Sequence, residues 1–488
     1  RRIHFLIVIN GLEWIGVLTD HLIRAYACCG CLSSSNQVFS KLSVANIYTW
    51  NTIISVHVNF SEYDRAFDLY SIMPKNGSIR PDKITFLCML QACSSVKSIG
   101  MGRILHEEIV CIGLDSVLDI SSSLVHMYAQ CGSVLEAHKV FNGILNRDVV
   151  SWGAIISGYA RFGCNTAVFE LFEKLQGESI QPDRGMYMCF IKCCTEIGDI
   201  EWGRKIHGQV RESVFSSDII LASAIIDMYS ACGSLAEAYD IFGHISNRDV
   251  VTWGAMMSAY IHHGLFLSAL RLYEDMEHDC VEPDHIIFSL IIKACIKVGN
   301  LLLGRWIHAD VICRSLDSYM ILNNSLIDLY MKFGSLEEAN NMFDKSSKHE
   351  VATWDIMIGG YLDNRLADVA LTKFYEMKGK EVVPNEVTYL CMLKVCSRLL
   401  HLKEARLIHD EIIRSKLESD IAIGNAMVDM YAKCQSLEEA EKVFNSLRNK
   451  DVISWGALIG GFAQSGDSIK ALDLLQKMKQ EGTVAADE

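Results

Sequence analysis

The stretch "SWGAIISGYARFG", Ser151 to Gly163, returns as "TWGAMMSAYIHHG" at Thr252 to Gly264. It returns again as "TWDIMIGGYLDNR" at Thr353 to Arg365 and "SWGALIGGFAQSG" at Ser454 to Gly466. Trp152, Trp253, Trp354 and Trp455 are therefore 101 residues apart each time. A single globular core gives no reason for such a ruler, whereas an array of stacked repeats does.

Other residues keep the same step. Pro81, Pro182, Pro283 and Pro384 do so, as do His106, His207, His308 and His409. Ala137, Ala238, Ala339 and Ala440 follow, with Phe141, Phe242, Phe343 and Phe444. Each block divides into three similar units of 35, 35 and 31 residues, for example 149–183, 184–218 and 219–249. A truncated unit at 1–15 comes first, then 16–46, 47–82, 83–117 and 118–148. The later units are 250–284, 285–319, 320–350, 351–385, 386–420, 421–451 and 452–487. One residue is inserted in 47–82 and another near Thr483 to Ala486.

Two helices are legible in each unit. In 219–249, Ile225, Ile226 and Tyr229 share one face at helical spacing. Gly233 then suits the left-handed residue that ends a helix. Ser234 and Glu237 read as a capping box, repeated at Ser133/Glu136, Ser335/Glu338 and Ser436/Glu439. Ala238 and Phe242 lie four apart on the second helix, the small residue admitting a neighbour and the ring filling the space beside it. A unit this short cannot bury its apolar face alone, so the units must stack into an α-solenoid with a long concave face.

Composition agrees. The 488 residues are 50% hydrophobic and 21% charged, which excludes a disordered tail. Only 5 prolines favour long helical stretches. The net charge of −14 excludes a generally basic nucleic-acid coat but not a local basic track. The 18 cysteines sit mostly inside apolar helical patterns and read as reduced, buried thiols rather than a disulfide scaffold. The most apolar run, "HFLIVINGLEWIGVL", is broken by Asn10, Gly11 and Glu13, so no membrane partner is expected. The chain begins at Arg1 in mid-pattern, and a targeting peptide is expected to lie outside it.

The alternation of unit lengths, with "QPD", "EPD" or "VPN" closing the tryptophan units, closely resembles the pentatricopeptide repeat family. The resemblance is to its plant-type class of alternating P, L and S units. It is carried by "DVVSWGAIISGYA" (Asp148 to Ala160), "GRKIHGQV" (Gly203 to Val210) and "NAMVDMYAKC" (Asn425 to Cys434), and it spans nearly the whole chain. In that scheme 1–15 is a truncated L unit; 16–46, 118–148, 219–249, 320–350 and 421–451 are S units. The units 47–82, 149–183, 250–284, 351–385 and 452–487 are P, and 83–117, 184–218, 285–319 and 386–420 are L. The resemblance implies an all-α fold, a right-handed α-solenoid superhelix of helix-turn-helix units. It also implies sequence-specific binding of single-stranded RNA in a plant mitochondrion or plastid, one base per repeat.

In the family the fifth and last residues of a unit contact the base edge. Asn51 with Asp82, and Asn425 with Asp451, resemble uracil-preferring pairs, since an amide both donates and accepts. Ser122 with Asp148, and Ser223 with Asp249, resemble guanine-preferring pairs; Asn324 with Glu350 is ambiguous. Asp20/Asn46 and Asp355/Asn385 reverse the usual order. Gly153, Gly254 and Gly456 offer no reading group, and Leu87, Met188 and Leu390 are apolar. The base-sandwiching second residues are Val150, Ile220, Val251, Ile321 and Ile453, with Asp119 an exception. The phosphate position holds Lys332, Lys433 and, as a substitute, Arg161; elsewhere it is Gln130, Ala231, Asp363 or Gln464. So few cations predict modest affinity and a shallow salt dependence.

Enzymatic readings are weaker. His106–Glu108 and His409–Glu411 invite a zinc-deaminase reading, but the only close Cys-x-x-Cys, Cys28 to Cys31, lacks the proline and precedes both. Histidines three layers apart, on the order of 25–30 Å at the usual helix spacing, cannot converge on one metal ion. The histidine and tryptophan series therefore read as packing residues. No phosphate-cradling glycine loop occurs. No cofactor is expected, and no catalysis within this chain. Alternating P, L and S units are tied in the family to C-to-U editing, with catalysis in a C-terminal extension or supplied by a deaminase partner in trans. The alternative readings are a tetratricopeptide-like protein-binding scaffold and a degenerate fragment without function.

Overall fold

The computed structural model describes residues 7, 9–10, 15–42, 45–73, 79–345 and 349–480. Most of the truncated unit 1–15 and the insertion near Thr483 to Ala486 lie outside them. The described residues form 28 helices and no strand, an all-α repeat solenoid. The chain divides into two compact units, Arg1–Asn247 and Arg248–Glu488.

In the first unit one row of helices is Gly16–Cys28, Ile47–Asn59, Lys83–Val96, Leu118–Gln130, Val149–Arg161, Arg184–Ile197 and Ile219–Ala231. The second row, alternating with it along the chain, is Leu32–Ser40, Tyr63–Ile72, Ile99–Ile112, Val134–Gly143, Asn165–Gly177, Ile200–Glu212 and Leu235–His244. The other unit repeats the plan. Its first row is Val250–His262, His285–Val298, Met320–Lys332, Val351–Asp363, Glu386–Leu399, Ile421–Lys433 and Val452–Gln464. Its second row is Phe266–His278, Leu301–Cys313, Leu336–Lys345, Ala367–Gly379, Leu402–Arg414, Leu437–Ser446 and Ser468–Gln480. Within each unit a first-row helix packs on its own second-row partner and on the next first-row helix.

The repeated residues build the core. Trp152, Trp354 and Trp455 are buried, each set edge-on against the phenylalanine of the preceding layer. Ala238 and Phe242 are buried, as are Ile225, Ile226 and Tyr229. Close approach is met by small residues: a Cβ added at Gly461 would stand 2.6 Å from Ala432 Cβ. Gly233 adopts φ 80° just past its helix, as its position predicts. In the last of the four blocks Gln435 takes the same left-handed turn with φ 59°, which costs a side-chain-bearing residue more than it costs glycine.

Two expectations are corrected. Ser133, Ser234 and Ser436 make no side-chain cap bond. Their hydroxyls instead donate to Glu136, Glu237 and Glu439 at 2.7, 2.6 and 2.6 Å. Each of those glutamates, with Glu338, is drawn to an arginine of the preceding second-row helix: Arg103, Arg204, Arg305 and Arg406. A carboxylate held by a guanidinium is not released to reach back to a backbone N–H. The true capping boxes stand one helix over, at Asp82/Thr85, Asp148/Ser151, Asn385/Thr388 and Asp451/Ser454. Finally, all 18 cysteines are free, but six of them, including Cys111 and Cys313, are exposed rather than buried.

The histidine series is structural. His106, His207, His308 and His409 place Nδ1 at 2.9, 3.1, 2.7 and 2.8 Å from the hydroxyls of Tyr128, Tyr229, Tyr330 and Tyr431 in the next layer. Of the two His-x-Glu triplets, Glu108 is hydrogen-bonded by Tyr70 and Glu411 is paired with Lys378. Among the described residues no three His, Cys, Asp or Glu side chains are grouped to hold a metal ion. None of the described helices is long and apolar enough to cross a membrane.

Candidate nucleic-acid interface

The last residue of a unit is the N-cap of the following first-row helix. Asp82, Asp148, Asp249, Asn385, Asn46 and Asp451 each accept from the backbone N–H at the third helical position. A short acceptor side chain is what that position requires. Glu350 caps without a side-chain bond. The fifth residue of each unit projects from the preceding first-row helix.

At two layers the amide and the carboxylate meet. Asn51 Nδ2 donates to Asp82 Oδ1 at 2.9 Å. Asn425 Nδ2 donates to both oxygens of Asp451, at 3.1 and 3.0 Å. The reversed pair also meets, with Asn385 Nδ2 donating to Asp355 Oδ2 at 3.0 Å. Elsewhere the pairing differs. Ser122 Oγ is buried without a partner, while Asp148 Oδ1 accepts from Ser151 N. Asn324 Oδ1 accepts from Thr353 Oγ1 at 2.8 Å. Asp20 Oδ1 is buried without a partner, and Asn46 Oδ1 accepts from Thr49 N and Oγ1. Ser223, in the first unit, donates to Ile219 O, and Asp249, in the second, accepts from Thr252.

The carboxylates differ in their readiness to carry charge. Burial pushes the Asp451 carboxyl up, but hydrogen bonds from Ser454, Asn425 and the Ile453 N–H outweigh it and hold the group below the usual carboxylate value. At Asp355 burial prevails over the hydrogen bonds from Thr388 and Asn385, and the carboxyl is raised. Asp20 is raised by burial in the same way.

Each compact unit of the chain has exposed apolar side chains at the second positions of its repeats. Val150 is 65% exposed, Ile321 65% and Ile453 67%, and Ile220 and Val251 are exposed too. Tyr48, Ile84, Ile286 and Val387 extend the set and were not picked out by sequence reasoning, although their positions in the units mark them. Aliphatic groups held in water are the feature such a fold least explains by packing alone. The exception, Asp119, is paired with Lys83.

Each compact unit has a cavity at such positions. One of about 780 Å³ is bounded by Asp119, Ser122, Asp148, Val150 and Gly153, with Asp183 beyond. The other, about 520 Å³, gathers Asn425, Ile453 and Gly456. The glycines create the room: a Cβ at Gly456 would meet nothing within 4 Å, and one at Gly153 only a methionine methyl at 3.9 Å. Gly254 differs, its Cβ falling 3.3 Å from Ile287. The cations at the phosphate position are already engaged. Lys332 is paired with Asp363 at 2.5 Å, Lys433 with Asp429 at 2.7 Å, and Arg161 is hydrogen-bonded to Gln130.

Stacked two-helix layers, some of which bring a polar pair beside an exposed apolar side chain, define a helical-repeat protein. Models of the PPR repeat family match residues 45–95, 248–297 and 349–398, and models of the single PPR repeat match 120–149, 150–180, 324–351, 387–417, 425–452 and 453–483. The chloroplastic pentatricopeptide repeat-containing protein At4g18520 of Arabidopsis thaliana is 30% identical over 482 residues, which cover 99% of this chain and 78% of that one. The chloroplastic At1g15510 of the same plant is 31% identical over 473 residues, and this chain spans only 54% of its length. Maize PPR10 has the same fold, with a TM-score of 0.68 at 15% identity over 97% of this chain and 74% of the other. PPR10 is also known in complex with an 18-nucleotide psaJ RNA element. The chain belongs to the pentatricopeptide repeat family.

Proposed function

We propose that this chain is a sequence-selective single-stranded RNA-binding protein of a plant mitochondrion or plastid. It recognises a transcript site through alternating P, L and S units, for C-to-U editing or another step of RNA processing. In editing, the deamination itself falls to another domain or to a deaminase in trans. The observation that carries the reading is the repeated juxtaposition of an exposed aliphatic second residue with a fifth residue hydrogen-bonded to the last one. Asn425, held by Asp451, and Ile453 border an open cavity. A base laid against Ile453 would present its edge to Asn425, whose orientation Asp451 holds. Chloroplastic and mitochondrial relatives support the organelle, and the RNA complex of PPR10 supports the ligand.

The test is selection of bound sequences from randomised single-stranded RNA, with double-stranded DNA as the competitor. Fixed bases are expected opposite the Asn51/Asp82 and Asn425/Asp451 layers, and unconstrained ones opposite Gly153 and Gly456. Asn425→Thr is expected to move the preference at one nucleotide from pyrimidine towards purine, leaving the others in place. Binding should weaken only gently with salt, because Lys332, Lys433 and Arg161 are already partnered. Equal base frequencies at every position would defeat the reading and favour a protein-binding scaffold.

A further inference from the structure

In half of the first-row helices the third residue carries a hydroxyl, as Thr49, Thr85, Thr252, Thr353 and Thr388 or as Ser151 and Ser454, and the two can do different things. Thr85 Oγ1 donates to Asn51 Oδ1 at 2.6 Å, Thr353 Oγ1 to Asn324 Oδ1 at 2.8 Å and Thr388 Oγ1 to Asp355 Oδ1 at 2.6 Å. In these three the hydroxyl reaches back to the fifth residue of the preceding unit, whereas Thr49 donates to the Asn46 cap and Asp20 Oδ1 stays unsatisfied. The serines turn away. Ser151 Oγ donates to the Asp148 carbonyl and Ser454 Oγ to the Asp451 carbonyl, both at 2.8 Å. In those two layers the fifth residue is left with a buried polar atom that nothing in the protein satisfies: Ser122 Oγ and Asn425 Oδ1. Ser122 is only 3% exposed and Asn425 7%. Both face the cavities described above.

We propose that this third residue is a specificity-determining relay acting on the base-reading residue of the unit before it. Thr85, Thr353 and Thr388 satisfy the reader's acceptor in advance; Ser151 and Ser454 leave the reader's polar atom to the nucleotide. The proposal rests on the RNA-binding reading. Its physical basis is the asymmetry of buried hydrogen bonds: an acceptor left unmade is costly, so a partner that supplies the missing donor recovers more than one that replaces a bond already present. The imino N–H of uracil is such a donor, and cytosine has none at that ring position. Asn51/Asp82 and Asn425/Asp451, identical as residue pairs, should therefore discriminate unequally. The Asn425 layer should reject cytosine more strongly, because its Oδ1 is unsatisfied while that of Asn51 is held by Thr85.

The exchange of threonine for serine leaves the helix start intact. The hydroxyl accepts from the N-cap N–H in both forms, at 3.2 Å for Thr85, 3.1 Å for Thr388, 3.0 Å for Ser151 and 2.9 Å for Ser454. Ser454→Thr and Thr85→Ser are thus expected to fold as the parent does, with unchanged thermal midpoints. The experiment measures dissociation constants of the full chain for RNAs carrying U or C at the nucleotide opposite each layer, the register being taken from the selected sequence. In the parent, the U-over-C ratio should be about tenfold larger opposite Asn425 than opposite Asn51. Ser454→Thr should collapse the ratio at its own nucleotide, and Thr85→Ser should raise it at the other. A ratio that Ser454→Thr leaves unchanged, in a parent that still selects bases, overturns the relay alone. A parent with no base selectivity overturns the relay together with the RNA-binding reading.

Discussion

Trp354→Ala should cost the array about 3–5 kcal/mol, the range for emptying a large buried aromatic site. The indole is fully buried, with its ring edge-on to Phe343 at 4.8 Å and to His349 at 5.8 Å, and the Lys380 ammonium 5.3 Å from its centre. It fills the seam between the helix Leu336–Lys345 and the next layer, so its loss breaks a nearest-neighbour interface rather than one contact. Trp354→Phe should lose clearly less, since the indole N–H has no hydrogen-bond partner to forfeit. Urea unfolding followed by circular dichroism measures both. A loss below about 1 kcal/mol for the alanine variant would place Trp354 outside the core, because such a value is typical of surface changes.

Mild acid should destabilise the protein through its histidines. Burial lowers the pKa of His106, His207, His308 and His409, and also that of His126, His138 and His349. A histidine whose folded pKa lies below its unfolded value favours folding while neutral. That contribution is complete above the unfolded value near 6.5 and is lost as pH falls through it towards the depressed folded value. The urea midpoint should therefore drop between about pH 7.5 and about pH 5.5. Acid also relieves the self-repulsion of a chain with net charge −14, which acts in the opposite direction. A variant with both His308→Gln and His409→Gln isolates the histidine share: its midpoint should move less with pH than the parent's. An equal or larger movement would show that these rings do not titrate with folding.

Much of the fold was legible because its residues repeat. The step of 101 residues located Trp152, Phe242 and His207, and each packs as a repeat core residue should. What escaped was the partner of each repeated residue. Tyr128, Tyr229, Tyr330 and Tyr431 keep the same step as the histidines, and so do Arg103, Arg204, Arg305 and Arg406. Both series were visible, but pairing them needs the distance between layers, which a sequence does not carry. The misplaced capping boxes have the same origin. Ser234 and Glu237 satisfy the local pattern, and only the third dimension brings Arg204 to the glutamate. In the candidate interface the reading positions came from the family likeness. Whether a given pair meets, as Asn425 and Asp451 do, or stands apart, as at Ser122, is set by the placement of one layer on the next, which a sequence does not carry.

That the closing residue of one unit is also the N-cap of the next helix has an evolutionary consequence. Where the cap bonds the backbone, as at Asn46, Asp82, Asp148, Asn385 and Asp451, a recruited side chain must also start a helix, which favours short oxygen-bearing residues. Val117 and Tyr319 close their units without such a bond. Change then comes most cheaply at the fifth residue, where helix initiation is not at stake, or by exchanging serine and threonine at the hydroxyl that follows, which keeps the cap bond. Glu350, which sits at such a junction without bonding the backbone, marks where that constraint has been relaxed.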